Sequence, residues 1–454
     1  MSKRLASFGN AVCGIMVLLG IAGLYYSWNK SALLSDRGVL LPYVIASAVL
    51  FALYVSSFWL GRSGRNNLAL VTVSVLLSVY VVEAFLWATG YSTDHYGAVR
   101  VAGGDFDTRE TIEVIEDLRA RNVDAWPSVL PAMHLGSGGL AAGDDRLYPL
   151  GGLPEKVTVV CNESGRYMVY ESDEHGFHNP KGLYTGAGVD IAIVGDSFAQ
   201  GRCVAPGEEV SAVLRREGYS VLNLGIGHNS LLLELAGLTE YALAERPRVV
   251  LWMYFEGNDL VDLQRELTDG LLTKYLAAGF DQSLRRRREE VAVALTDFVN
   301  KQWQAEARRT KRATPLKNLL KLKRIRTLLG QRSAKQVEVV PEFAEILSMA
   351  KERIERVGGT MYFVYLPAWA RYALRKESDY LARNVVLQTV RELGIPIIDF
   401  AETVTARDDP LALFPLRVQG HYTAEGYTLL AGQIAQHLRK DGMMPGSPHH
   451  APTP

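Results

Sequence analysis

The sequence predicts an α/β protein, with a parallel sheet covered on both faces by helices and three transmembrane helices in front of it. Two observations predict this. From residue 189 onward, short apolar runs of strand length alternate with amphipathic helical periodicities. Before residue 91, three long apolar runs follow one another with short polar breaks.

The first uncharged run covers residues 5–29, the second 38–61 and the third 66–82, after which AFLWATG follows Glu83. A helix crosses a bilayer core with roughly 20 apolar residues, so residues 1–91 read as a three-helix anchor. The first run is longer than the apolar core of a signal peptide and lacks a clear small-residue cleavage site. Lys3 and Arg4 precede it, and Arg62 and Arg65 lie between the second and third runs. That bias places the N-terminus inside and, after three crossings, everything beyond residue 91 outside. In a bacterium this is a multi-pass protein of the cytoplasmic membrane with a periplasmic C-terminal domain. Glu83 sits within two turns of the outer end of its span, where snorkelling or an interfacial partner accommodates a carboxylate.

Residues 92–185 carry few long periodic segments and read as an extension packed on the following domain. They hold Gly-rich stretches, one helix at TRETIEVIEDLRARN, and short strands at KVTVVCNE and RYMVYES. In residues 186–440 the strands are VDIAIVG, YSVLNLG, RVVLWMYF, GTMYFVYLP and PIIDF. The helices between and after them are LLLELAGLTEYALAE, EFAEILSMAKERIERV, SDYLARNVVLQTVREL and a last one near TAEGYTLLAGQIAQHLRK. A basic helical insertion interrupts them at about 260–340, with RRRREE at 285–290, then ARRTKR, then LKNLLKLKRIRTLL. It reads either as a solvated excursion or, over 285–335, as a surface for anionic lipid or an acidic polymer. Residues 441–454 read as a disordered tail.

The 454 residues hold 49 Lys+Arg and 49 Asp+Glu, so no overall charge points to nucleic acid. The three cysteines, Cys13, Cys161 and Cys203, match no metal or CxxC spacing. Cys13 lies in an apolar run as a lipid-facing or packing residue. Cys161 and Cys203 would share an oxidising compartment, but a bond between them needs geometry, and two separate thiols are the simpler reading. His95, His134, His175 and His178 are isolated and read as ordinary polar residues. No metal or diffusible cofactor is called for.

Four positions carry chemistry. The first strand runs into Gly195-Asp196-Ser197-Phe198, which sets a Ser hydroxyl at a strand's carboxyl end and a helix N-terminus. The second ends in Asn223-Leu224-Gly225-Ile226-Gly227-His228-Asn229, where glycine lets backbone N–H groups approach a ligand. The third ends in Glu256-Gly257-Asn258-Asp259, whose Asn258 amide can donate to an oxyanion. Gly420-His421-Tyr422 precedes the last helix and supplies an imidazole base. Each is weak alone; their order along one edge of a parallel sheet is the signal.

In that order GDSF, NLGIG, EGND and GHYTAEGY resemble blocks I, II, III and V of the SGNH (GDSL-type) hydrolases over roughly residues 160–440. The chain looks most similar to membrane-tethered bacterial members found with polysaccharide O-acetylation. The resemblance implies a flavodoxin-like three-layer fold, Ser197 as nucleophile and His421 as base. It also implies an oxyanion hole of the Ser197 N–H, a block II glycine N–H and Asn258. Of the two glycines, Gly227 is favoured over Gly225, although spacing does not choose. The family's acid stands two or three residues before the His, and here Gln419 and Val418 occupy those positions. Either a Ser–His dyad works with a backbone carbonyl, or the acid comes from elsewhere. Asp399, Asp408 and Asp409 lie upstream with no spacing rule to select among them.

The expected function is hydrolysis of an acyl ester through an acyl-serine, removing acetyl groups from a cell-envelope or secreted polysaccharide. Two alternatives share the sequence: an O-acetyltransferase using the same residues, and a degenerate binding or scaffold module of a polysaccharide export system.

Overall fold

The computed structural model describes residues 2–31, 41–88, 106–309, 319, 321, 322, 325, 338–373 and 381–446. The chain forms two compact units, residues 1–91 with 313–331, and residues 92–312 with 332–454.

The first unit is built from helices Ser2–Ser31, Leu41–Ser56 and Arg62–Ala88. Two of them are long and apolar enough to cross a membrane, over Phe8–Asn29 and Arg62–Leu86. The middle one is shorter, with its apolar stretch at Tyr43–Trp59. The expectation of three spans is therefore corrected to two helices of spanning length and one short apolar helix. Its described part, Leu41–Ser56, is 16 residues long and tightens into a 3₁₀ turn at Ser57–Trp59, while the first residues of the 38–61 run lie outside the described residues. Among the described residues, the odd count on which the outward placement of the downstream chain rested is therefore not reached.

Polar groups tie this unit together. Tyr54 Oη and Thr72 Oγ1 lie 2.5 Å apart and join the middle and last helices. In an apolar surrounding such a bond has little competition from water. Glu83 is buried rather than snorkelling, and its Oε2 accepts the Ile325 N–H at 2.8 Å. Ile325 belongs to the basic run LKNLLKLKRIRTLL, which thus joins the apolar helices. Most of that run lies outside the described residues, and so does His95. Cys13 is buried, as a packing residue would be.

The second unit begins with the helix Thr111–Ala120, closed at its start by a reciprocal capping box between Glu110 and Glu113. Five short strands follow: β1 (Ala125–Pro127), β2 (Leu140–Ala142), β3 (Asp145–Leu147), β4 (Val157–Val159) and β5 (Val169–Glu171). Strand β4 pairs parallel with β1 and antiparallel with β5, while β2 and β3 form a hairpin of their own. The β4–β5 connection is tightened by Val160 N–H to Met168 O and Met168 N–H to Cys161 O. Its tip, residues 162–166, becomes important below.

Five parallel strands form the main sheet: β6 (Ile191–Gly195), β7 (Val221–Asn223), β8 (Val249–Phe255), β9 (Thr360–Leu366) and β10 (Ile397–Asp399). Their order is β10-β9-β8-β6-β7. This is the flavodoxin-like 2-1-3-4-5 order, whose direction switches between β6 and β8. Both faces are buried, which is why the strands read as unbroken apolar runs. Alternate residues serve opposite cores. Ala192, Val194, Val250 and Trp252 pack with Leu232, Leu235, Phe343 and Ile346 on one side, where Leu150 and Phe177 of the extension join them. Ile191, Ile193, Leu251 and Met253 pack with Val210, Leu214, Leu430 and Ile434 on the other.

Three isolated histidines are core residues rather than ordinary polar ones. His134, His175 and His178 are all buried. His134 packs edge-on at 4.5 Å from Phe298, and neither ring nitrogen meets a hydrogen-bond partner among the described residues. The start of the expected tail is also ordered. Met443 O accepts the Tyr219 hydroxyl and Met444 O accepts Arg248 Nη1, so regular contacts run to residue 446.

Burial pushes the His134 pKa down to about 4. The folded state then binds fewer protons than the unfolded chain between about pH 4 and the ordinary histidine value near 6.5. The stability from His134 is present above pH 6.5 and is lost as pH falls toward 4. Denaturant unfolding of the protein and of His134→Leu should show the wild type losing about 1 kcal/mol per pH unit more than the variant in that window. Parallel pH profiles would show that the ring is not buried neutral.

Candidate active site

The carboxyl ends of β6 and β8 lie at the sheet's switch point, and the sequence-predicted residues follow them. Strand β6 ends at Gly195, whose φ of +155° favours glycine. A Cβ there would sit 2.7 Å from Ala199 Cβ and 2.9 Å from Met253 O. The chain therefore turns sharply off the strand. Asp196 caps the short helix Ser197–Gln200 by accepting the Phe198 N–H at 2.8 Å. Ser197 is the first residue of that helix, and its hydroxyl rests on Asp196 Oδ2 at 3.3 Å. Burial pushes the Asp196 carboxyl up to about 6, against the Phe198 N–H bond and the nearby His421.

His421 stands just before the helix Ala424–Lys440, which Thr423 caps. Its ring centroid lies 4.9 Å from that of Phe198, the residue after Ser197. Phe198 in turn stacks on Phe255 at 4.1 Å, at the end of β8. Three chain segments distant in sequence thus share one aromatic contact at the sheet's rim.

The acid that sequence reasoning missed is Glu163. Its Oε1 lies 2.9 Å from His421 Nδ1, and its Oε2 accepts the His421 backbone N–H at 2.7 Å. A carboxylate only accepts, so the contact assigns the proton to Nδ1 and leaves Nε2 as the basic nitrogen. The three aspartates considered from sequence are occupied differently or stand apart. Asp399 caps Ala401 N–H and pairs with Arg383, Asp409 pairs with Arg417, and no contact among the described residues joins Asp408 to the site. Glu163 comes from the β4–β5 tip, 258 residues upstream of His421. No local spacing marks it, and only the pairing of β4 with β5 brings it out.

The tip is fixed from several sides. Asn162 Nδ2 donates to Asp107 O at 2.8 Å, and Asn162 Oδ1 accepts the Gly165 N–H at 2.8 Å. Cys161 is bonded to Cys203, with Cα atoms 5.3 Å apart. The simpler reading of two free thiols is therefore corrected: the β4–β5 hairpin and the turn after the Ser197 helix bring the two residues face to face. The Cys203 sulfur, a Glu163 oxygen and a His421 nitrogen all lie within 4.8 Å of one another. That trio has metal-like spacing, but the sulfur is tied up in the disulfide and offers no thiolate.

The two candidate glycines are adjacent to the site, but their N–H groups are committed. Gly225 N–H donates to Asn223 Oδ1 at 2.9 Å, and Gly227 N–H donates to Gln200 Oε1 at 3.1 Å. The next residue, His228, has φ of +64°. Its backbone N–H meets no acceptor among the described residues. Left-handed backbone at a non-glycine residue is uncommon, and histidine is among the side chains that adopt it more readily. Asn258 donates through Nδ2 to Asp262 Oδ2 at 2.7 Å, and His228 Nδ1 lies 3.5 Å from the same oxygen. Burial works against ionisation of Asp262, yet the bonds from His228, Asn258 and Arg265 outweigh it and hold its pKa below the ordinary range. This carboxylate fixes the Asn258 amide through one of its two N–H groups.

No family model and no curated protein matches the chain. Among solved structures, it is similar to a lipase/acylhydrolase from Enterococcus faecalis, with 14% identity over 55% of this chain and 95% of that one, at a TM-score of 0.32. It is also similar to a G-D-S-L family lipolytic protein from Desulfitobacterium hafniense DCB-2, with 15% identity, 54% and 97% coverage, and a TM-score of 0.30. A third is a variant of the acetyl xylan esterase Axe2 from Geobacillus stearothermophilus, with 16% identity, 57% and 96% coverage, and a TM-score of 0.32. At such TM-scores the functional reading rests on the site's own geometry.

Closing a loop of 42 residues, the Cys161–Cys203 bond should stabilise the fold by about 4 kcal/mol through loss of unfolded-state entropy. The Cys161→Ser/Cys203→Ser protein should therefore unfold at clearly lower denaturant, and in native buffer its His421 should lose the fixed Nδ1 proton. Imidazole ¹⁵N resonances report the second effect independently of the first.

Proposed function

We propose that this chain is a serine-dependent acyl-ester hydrolase acting outside the cytoplasmic membrane, with acetyl groups on a cell-envelope or secreted polysaccharide as its substrate class. One observation carries the reading: Glu163 grips both the ring and the backbone of His421. A surface histidine next to a serine has many uses. One whose Nδ1 proton and orientation are set by a carboxylate is built to take a proton at Nε2.

The reaction then runs in two steps. His421 Nε2 takes the Ser197 proton as Oγ attacks the ester carbonyl. Negative charge develops on the carbonyl oxygen, and the donors assigned to receive it are the Ser197 N–H at its helix start, the His228 N–H and the second N–H of Asn258. His421 returns the proton to the leaving alcohol, and water repeats the sequence on the acyl-serine. The Glu163 side chain holds the ring and offsets the imidazolium charge in both steps. In this assignment His228 replaces the expected glycines, because the N–H groups of Gly225 and Gly227 are already bonded to side chains.

The disulfide supports an oxidising compartment, and the two apolar helices of spanning length support tethering to a membrane. The glycan part of the proposal rests on the resemblance of GDSF, NLGIG, EGND and GHYTAEGY to SGNH proteins of polysaccharide O-acetylation. The basic sequence of the run that includes Ile325 suits anionic head groups.

The full-length protein in detergent should react with a fluorophosphonate probe, and Ser197→Ala should not. Labelling that survives in Ser197→Ala would falsify the nucleophile assignment. With an acetylated glycan the product should be free acetate. Acetyl gain on an acceptor glycan, with little acetate released, would reassign the protein as a transferase. Glu163→Gln should lower kcat by about 10³–10⁴-fold with little change in KM, since it removes orientation and charge compensation rather than substrate contact. A loss of less than about threefold would leave His421 acting without it.

A further inference from the structure

Arg202 lies one turn beyond the nucleophile, its backbone N–H donating to Ser197 O at 3.0 Å. Its side chain runs under the block II segment. A Cβ on Gly227 would stand only 2.3 Å from Arg202 Nη1, so glycine at 227 is what makes room for the guanidinium. Glu163 and Asp196 are close enough to influence its charge. The guanidinium therefore lies against the segment that ends at His228, within electrostatic reach of the carboxylate that holds His421.

The Arg202 side chain has no hydrogen bond or ion pair with any described residue. Its nitrogens are also absent from the sealed, unpartnered polar atoms of the core, so they open to solvent. A guanidinium has five N–H donors in a planar fork suited to carboxylate. Burial of most of the side chain disfavours its charge, and the surrounding carboxylates and tyrosines offset that. Both ends of its segment are fixed, by the helix before it and by the Cys161–Cys203 bond one residue after it. The donors are thus preorganised, with no acceptor supplied by the described residues.

We propose that Arg202 is a specificity residue that binds a carboxylate on the substrate, next to the ester that Ser197 attacks. The proposal rests on the hydrolase reading above and narrows its substrate class to anionic esters. The carboxylate can belong to the alcohol, as in an acetylated uronic-acid glycan, or to the acyl group, as in a dicarboxylic half-ester.

The test compares kcat/KM of the full-length protein within two substrate pairs: acetylated polygalacturonate oligomers against acetylated xylan oligomers without uronate, and 4-nitrophenyl hemisuccinate against 4-nitrophenyl acetate. The anionic member of one pair should be preferred about 10- to 100-fold, the size expected of a charge-assisted bidentate contact. Which pair shows it identifies whether alcohol or acyl group carries the charge. Arg202→Gln should bring that ratio near one, and Arg202→Lys should keep part of it. Because a ratio is read, a general loss of activity in the variant does not imitate the result. A ratio near one in the wild type, or a ratio unchanged in Arg202→Gln, overturns the proposal. If the wild type hydrolyses no ester, the hydrolase reading fails by itself. Calorimetric binding of 4-nitrophenyl succinamate and of deacetylated polygalacturonate oligomers to Ser197→Ala, each against a neutral analogue, then decides on Arg202. Equal affinity for charged and neutral ligands in both comparisons overturns the proposal.

Discussion

The contact between Glu163 and His421 is the interaction on which the rest of the site depends. An imidazole at the rim of a sheet can adopt either tautomer and several orientations. Two hydrogen bonds accepted by one carboxylate, from the Nδ1 proton and from the backbone N–H, remove that freedom. The ring then packs in a fixed direction against Phe198, the residue after Ser197. Without this contact, the hydroxyl, imidazole and carboxamide would be neighbours with no defined proton path.

The location of that carboxylate explains why the segment before the main sheet is so firmly built. Its tip is held by the Asn162 turn, by Asp107 and by the Cys161–Cys203 bond. A triad acid on the same loop as its histidine would need none of this, because chain connectivity would hold it. Here the acid is on a separate hairpin, and its position is only as definite as the contacts that hold the hairpin. The same bond pins the turn after the nucleophile, so one crosslink steadies the acid, the serine helix and Arg202 together.

The block II segment shows a similar exchange of roles. Gly225 and Gly227 serve packing and side-chain hydrogen bonds, with Gly227 vacating the space that Arg202 fills. The open N–H passes to His228, which adopts the left-handed backbone that glycine would otherwise provide. Asp262 meets both the His228 ring and the Asn258 amide, so one buried carboxylate links the ends of the two strands' loops.

By itself, the sequence determined the parallel sheet, the strand ends and the placement of Ser197, Asn258 and His421 at one rim. Each of these is written locally, as an apolar run, a glycine turn or a residue flanking a helix. The apolar helices were legible as well, although hydropathy alone could not show that the run at 38–61 tightens into a 3₁₀ turn at Ser57–Trp59. What only the tertiary structure decided is the identity of the acid, the disulfide, the fate of the two glycines and the burial of His134. All of these are meetings between segments far apart along the chain. Nothing in the spacing around residue 163 reports that strand pairing and a crosslink will bring its carboxylate onto an imidazole 258 residues away.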